Sequence, residues 1–465
     1  TPLFTAVLTT ARIQAFIPGA SPPDVKIAIF FMCLKILNKL IKCIFNKIKI
    51  EKLKKILLIS YYWKNDNSVG KLRWYNLVQE LKKLNYNITV FSFGDEHKII
   101  EKDNFTEIIW KNNSFLDLFK QSSLQDYSKG VIDSSDSLFV KFLSWIRVNF
   151  FYPDARLSNL NKIESFLIDY IERKDINLMI TTSPPHSIQL LGKRIKKQID
   201  IEWISDFRDP YLSWDILLSM NPLSISKKIH SNYQNQFLKI SDKIVTTNSE
   251  LKNEFSLLTK NKIEVITNGS SYYPSNKYSN KKFILSYFGL LNKLRHPKVL
   301  IEVLDELLQK DEIFNKNFEF HLYGNIQKTT LNDIRNKKYL NKKTTIKSYI
   351  PNNKINDEID SSSILLLLLN NTKNQNTTPY KLFDYLVSEK NILTLGDYPS
   401  TDVDYLLKKY KRSKRFNYSD SQSIKGYLTK MFELYKNKKL ENKKLDYSEL
   451  RYNHLAKKFE VIFNS

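Results

Sequence analysis

At 465 residues the chain exceeds one ordinary hydrophobic core and suits two domains of α/β size. Apolar residues make up 42% and aromatics 13%, with only 14 Pro and 10 Gly, which excludes a disordered or fibrous chain. The net charge of +25 suggests a polyanionic partner, but no zinc-finger spacing and no block of Arg interleaved with aromatics marks a nucleic-acid groove, and the Lys- and Asn-rich usage accounts for part of the charge.

Residues 1–31 differ in composition from the rest: five of the seven alanines fall there, and the first Lys is Lys26. A non-native or disordered leader, with Met32 as the native start, is the expected reading. A signal peptide is opposed by the lack of a basic segment ahead of the apolar one. Over 32–50, Lys35, Lys39, Lys42 and Asn46 share one helical face while Ile36, Leu40, Ile44 and Ile48 occupy the other, predicting a basic amphipathic helix. Its apolar run falls short of the ~18–20 residues that span a bilayer. The helix therefore either lies on an anionic membrane surface or packs on the fold. Cys33 and Cys43 cannot form a disulfide framework, which points to a reducing compartment and a cytoplasmic enzyme on the inner face of the membrane.

From residue 54, apolar runs at 56–60, 88–93, 107–110, 176–181, 202–206, 243–247 and 264–267 read as strands, with helices at 69–84, 159–173, 187–197 and 249–258. The alternation predicts a mostly parallel sheet covered on both faces, an N-terminal Rossmann-like domain over 51–275. A polar linker follows at 276–282. A second series, with strands at 284–288, 318–323, 345–350, 364–369 and 392–395, predicts a C-terminal Rossmann-like domain over 283–440. A final helix within 441–465 is expected to return to the N-terminal domain. The fold class is thus α/β, two doubly wound domains facing a cleft.

Ligands in such sheets sit at the carboxyl ends of strands. After the first strand, Gly70 opens a helix carrying Arg73, and backbone amides there can hold an anion or simply turn the chain. The segment Ser183-Pro184-Pro185-His186-Ser187 leads from a strand into a helix, where His186 can bond a sugar hydroxyl or sit incidentally beside a cap. Asp206-Phe207-Arg208-Asp209-Pro210 crowds two carboxylates around an Arg, which fits either a ligand site or a structural ion pair. In the second half, the loop from Gly289 to Pro297 brings Lys293 and Arg295 to a strand end, as a diphosphate would need. Lys381 and Asp384 lie three apart at a helix start, and Asp384 can accept two hydrogen bonds from a ribose diol; a plain amphipathic helix is the alternative.

Taken in order, these segments, with Val265-Ile266-Thr267-Asn268-Gly269 and Pro379-Tyr380-Lys381-Leu382-Phe383-Asp384, resemble the family-four bacterial glycosyltransferases of GT-B fold. The resemblance covers about residue 54 to the C-terminus. It implies a UDP- or GDP-linked sugar donor held by the C-terminal domain, an acceptor on the N-terminal domain, no metal, no separate cofactor, and retention of configuration. Gly70, Gly289, Lys293, Arg295, Tyr380, Lys381 and Asp384 are then donor-side candidates. Arg73, Ser183 and Asp209 are acceptor-side candidates, and His186, Asp206 and Arg208 the catalytic or sugar-positioning ones. Asp384 stands where the family usually has Glu, and Asn376 where it expects an acid. The implied function is sugar transfer to a membrane-associated glycan or lipid-linked acceptor in surface polysaccharide synthesis. A sugar-phosphate epimerase or phosphorylase of the same fold, and a degenerate binding or scaffold protein, are the alternatives.

Overall fold

The alternating pattern is realised as two sheets, each parallel but for one strand of the first. The computed structural model describes residues 54–63, 69–112, 138–275, 281–347, 350, 352–373, 377–440 and 444–465. The leader, the amphipathic segment over 32–50, Asn376 and most of the 276–282 linker lie outside these residues.

In the first sheet, the strands are β1 (Lys55–Ser60), β2 (Asn87–Gly94), β3 (Lys98–Lys102), β4 (Phe105–Lys111), β5 (Leu178–Ser183), β6 (Glu202–Phe207), β7 (Lys243–Thr246) and β8 (Lys262–Val265). Their order is β3-β4-β2-β1-β5-β6-β7-β8, with β3 antiparallel at the edge. The inner strands are apolar along their whole length because helices cover both faces: β1 is buried from Ile56 to Ser60 and β5 throughout. The second sheet holds β9 (Phe283–Phe288), β10 (Phe318–Tyr323), β11 (Thr344–Lys347), β12 (Ile364–Leu368) and β13 (Asn391–Leu395), in the order β11-β10-β9-β12-β13, all parallel.

Each sheet starts at its middle and grows outward in one direction before the chain crosses to the other side. The reversal falls between β1 and β5 in the first sheet and between β9 and β12 in the second. The loops leaving these strand pairs diverge to opposite faces and leave a crevice at each switch point.

The chain ends in the helix Tyr452–Asn464, whose Leu455, Ala456, Phe459 and Phe463 share one core with Trp74, Leu77 and Ile88 of the first sheet's layer. Phe459 lies 4.9 Å, ring to ring, from Trp74. Burying several large apolar side chains, each contributing about 1.5–3 kcal/mol, clasps the chain end to the first half. A second link joins the helices Ser249–Ser256 and Thr401–Lys409 end to end. Asp402 accepts from the Ser249 amide and hydroxyl at 2.6 and 2.8 Å, while Glu250 accepts from the Thr401 amide at 2.5 Å. Each helix thus supplies a carboxyl group to the other's N-terminus, where the amides need acceptors.

Candidate active site between the two sheets

A cleft of about 690 Å³ lies between the sheets, lined from the first half by Gly70, Arg73, Arg208, Asp209 and Trp214 and from the second by Lys293, Asn370, Thr378 and Tyr380. Across it, Thr372 donates to Asp215 at 2.8 Å.

On the second-half side, the loop after β9 turns at Gly289, whose φ of +119° disfavours a side chain. Gly324, at the end of β10, packs so closely that an added Cβ would stand 2.4 Å from the Gly289 carbonyl oxygen. This pair of glycines lets the strand-end backbones converge. Into the space beside Gly289 comes Lys381, from the first turn of the helix Tyr380–Val387; its Nζ donates to the Phe288 carbonyl at 2.8 Å and stands 3.9 Å from the Tyr287 ring centroid. Burial, with Arg295 nearby, pushes the Lys381 amine well below its usual range. Arg295 donates to Asn370 Oδ1 at 2.8 Å and to the Leu290 carbonyl, tying the loop after β9 to the loop after β12 across the switch point. Among the described residues neither Arg295 nor Lys381 makes an ion pair. Lys293 stands exposed at the cleft wall. Two crowded cations with no carboxylate partner among the described residues, beside a glycine turn at a strand end, are an arrangement able to take an anion such as a diphosphate.

Asp384 is placed differently from the ribose contact expected of it. Its Oδ1 accepts from Ser270 Oγ at 2.6 Å, burial raises its carboxyl to about 6, and, like Arg295 and Lys381, it stands behind the residues that line the cleft. Tyr380 does line the cleft, with its hydroxyl 3.0 Å from that of Tyr452.

On the first-half side, the sequence reading needs correction at three residues. Asp206 is fully buried, paired with Arg73 at 3.0 Å, and accepts from Trp74 Nε1 and Thr182 Oγ1, each at 2.7 Å. Arg73 spends its remaining donors on the Ile266 and Thr267 carbonyls. Ser183 is buried and accepts from Gln189. These groups hold strand ends together, because a fully buried carboxylate or guanidinium must be matched locally. Arg208 pairs with neither flanking carboxylate. It donates to the carbonyls of Ser183, Pro184 and Gly70, so it stitches the loops after β1 and β5 at the switch point.

Beneath these loops a cavity of about 280 Å³ opens, sharing Gly70, Arg208, Asp209, Trp214 and Ile216 with the cleft. His186 lines it. The imidazole is buried and tilted against Tyr211 with ring centroids 4.2 Å apart, and neither ring nitrogen has a hydrogen-bond partner of good geometry among the described residues, Pro210 lying nearby. Burial lowers its basicity to about 4, so the ring is neutral near pH 7 and can donate or accept one hydrogen bond to a hydroxyl. Asp209, raised by burial and accepting no hydrogen bond from the described residues, stands where cavity and cleft meet. Sequence reasoning did not single out Asp154, Arg156, Tyr211, Trp214, Gly324 or Asn370. Asp154 caps the helix Ser187–Lys196 by accepting from the Ser187 amide and hydroxyl, each at 2.8 Å; the Pro before it was the only local signal. For Gly324 the signal was a glycine directly after a strand.

No protein-family model matches the chain, and no curated protein matches it in sequence. Similar solved structures include sucrose-phosphate synthase from Thermosynechococcus elongatus, at 10% identity and a TM-score of 0.57, covering 88% of this chain and 98% of that one. A glycosyltransferase from Rickettsia africae ESF-5 is similar at 13% identity and a TM-score of 0.57, covering 88% and 98%. An α,α-trehalose-phosphate synthase (UDP-forming) from Burkholderia xenovorans in complex with glucose-6-phosphate is similar at 7% identity and a TM-score of 0.57, covering 88% and 100%. At these identities the likeness establishes the fold, which is the GT-B fold of glycosyltransferases.

Proposed function

We propose that the chain is a retaining glycosyltransferase that moves a sugar from a UDP- or GDP-linked donor to a phosphorylated glycan acceptor carried at a membrane, in surface polysaccharide synthesis. The observation that carries this reading is the pair Arg295 and Lys381 beside Gly289, cations gathered at a switch point with no acidic partner among the described residues. Similar solved structures support the two substrate classes: one is bound with UDP-2-fluoro glucose and another is in complex with glucose-6-phosphate. The ordered motifs from Ser183 to Pro185 and from Asp206 to Pro210 support membership of family four.

In this reading the donor diphosphate lies against Lys381, Arg295 and Lys293, and the sugar reaches across the cleft toward Asp209 and the mouth of the His186 cavity. The bond from the anomeric carbon to the phosphate oxygen breaks, the acceptor oxygen bonds to the same face of that carbon, and its proton passes to the leaving phosphate. The cations contribute by stabilising charge that develops on the leaving group. No covalent enzyme intermediate and no metal is needed in this scheme. His186, neutral, orients an acceptor hydroxyl; Asp209 accepts from another.

The competing scaffold reading draws on Asp384, which is engaged with Ser270 away from the cleft. Incubating the full chain with UDP- and GDP-sugars and following released nucleotide discriminates the two. Slow donor hydrolysis, lost in Arg295→Ala, is the expected result. Nucleotide binding with no turnover would favour the scaffold, and no binding of either donor would end the transferase reading.

A further inference from the structure

The helix Leu138–Phe150 presents to solvent a face that soluble proteins ordinarily bury. Leu138 is 81% exposed, Phe142 55% and Phe150 63%, and Phe139 is exposed beside them. The rings form a ladder along the helix: Phe142 and Trp145 stack at 6.3 Å, and Trp145 meets Phe150 edge-on at 6.0 Å. The opposite face, with Val140, Ser144 and Val148, is buried. Asn149 Oδ1 accepts from the Leu223 amide at 2.7 Å and Tyr152 donates to Ser226 at 2.9 Å. These bonds bring the start of the helix Ser224–Ile240 alongside, adding Leu223 and Ile225, both exposed, to the same surface. Contiguous apolar patches of this kind mark interaction sites.

Charge and placement indicate what covers the patch. Neither helix contains an acidic residue, and Lys141, Lys227 and Lys228 stand exposed around the apolar face. An apolar aromatic face framed by lysines is complementary to an anionic bilayer surface. No described helix is long and apolar enough to cross a membrane, so the contact would lie in the interface plane. The patch also backs directly onto the candidate acceptor cavity, since Arg147 and Val148 of the first helix and His230 of the second line it together with Arg156 and Arg208.

We propose that the outer face of Leu138–Phe150, with Leu223 and Ile225, is a bilayer-docking surface that delivers an amphiphilic acceptor, its phosphorylated head passing into the arginine-lined cavity behind the helix. This rests on the transferase reading for the acceptor's role, but the docking itself can be tested apart from it. The triple variant Phe142→Ser, Phe150→Ser, Ile225→Ser changes only exposed positions, and its thermal unfolding should match that of wild type. In co-sedimentation of the full chain with phosphatidylglycerol/phosphatidylcholine vesicles, its affinity should fall roughly tenfold or more, because each large apolar side chain withdrawn from water is worth about a factor of ten. Donor hydrolysis should be unchanged in the variant, so loss of hydrolysis in both proteins would strike the transferase reading while leaving the vesicle result to stand. Vesicle binding equal to wild type would overturn the docking surface. So would a wild type that binds no vesicles but self-associates in size-exclusion chromatography while the variant is monomeric, since a second copy would then be the occupant.

Discussion

At the end of β6 in the first sheet one buried ion pair is matched, whereas the cations at the end of β9 have no acidic partner among the described residues. Arg73 and Asp206 pair at 3.0 Å inside the core, Trp74 and Thr182 donate to the same carboxylate, and Arg73 donates to the Ile266 and Thr267 carbonyls. Arg295 and Lys381 crowd the end of β9 and, among the described residues, meet Asn370, backbone carbonyls and the Tyr287 side chain but no carboxylate. A matched pair largely cancels its own field, and although Arg73 borders the cleft, the pair's bonds hold β6 against the helix Leu72–Lys83 and the chain after β8. Burial, and after it the neighbouring Arg295, lowers the basicity of Lys381, and in the proposed reading an arriving diphosphate offsets that cost. In the proposed reading the same residue types serve stability in one half and binding in the other, and their partners distinguish the roles.

The largest expected effect tests the matched side. Asp206→Ala leaves the Arg73 guanidinium and the Trp74 and Thr182 donors buried without an acceptor, and urea denaturation should show a loss of about 3–5 kcal/mol. A loss below 1 kcal/mol would mean that the pair is dispensable and the contrast between the two halves unsound.

On the unmatched side, Lys381→Ala should weaken nucleotide-sugar binding by about 1.5–3 kcal/mol while changing the unfolding midpoint little. Because an anion raises the basicity of a neighbouring amine, donor binding should draw a proton onto Lys381, so affinity should decline as pH rises. Calorimetric titration in two buffers of different ionisation enthalpy reads that proton directly, and equal heats in both would place Lys381 outside the site.

The smallest effect concerns the reciprocal caps between the helices Ser249–Ser256 and Thr401–Lys409. Burial and the neighbouring Asp402 raise the Glu250 carboxyl from 4.5 to about 7. The folded state thus holds a proton that the unfolded chain has released between those values, so this group's contribution is full below pH 4.5 and is lost as pH rises through about 7. Glu250→Gln should flatten the pH dependence of thermal stability in that window, and an unaltered profile would show that the two caps do not interact.

Strand positions were legible because the inner strands are apolar along their length, and β10 spans 318–323 as the pattern predicts. The edge strand β3 was not, since Lys98–Lys102 is largely exposed and carries no burial pattern. The helix Leu138–Phe150 escaped for the opposite reason: apolar residues surround it, so no periodicity separates its faces. Gly289, Lys293 and Arg295 stood in one motif after a strand and Lys381 in another at a helix start, and the fold brings Lys381 beside Gly289. What sequence could not show is orientation. Asp206 and Arg208 lie two apart in one motif, yet Asp206 pairs with Arg73, 133 residues away, while Arg208 reaches the Gly70 carbonyl. Long-range pairing of this kind leaves no local spacing to read.

The contrast between the halves is tested most directly by titrating UDP- and GDP-sugars calorimetrically into wild type, Arg295→Ala and Arg73→Lys, with the unfolding midpoint of each measured alongside. The account predicts that Arg295→Ala loses about tenfold or more in affinity at an unchanged midpoint, the effect of one charge-assisted contact. Arg73→Lys should do the reverse, lowering the midpoint while the folded protein binds donor as wild type does. Wild-type affinity in Arg295→Ala, or an affinity loss confined to Arg73→Lys, would contradict it.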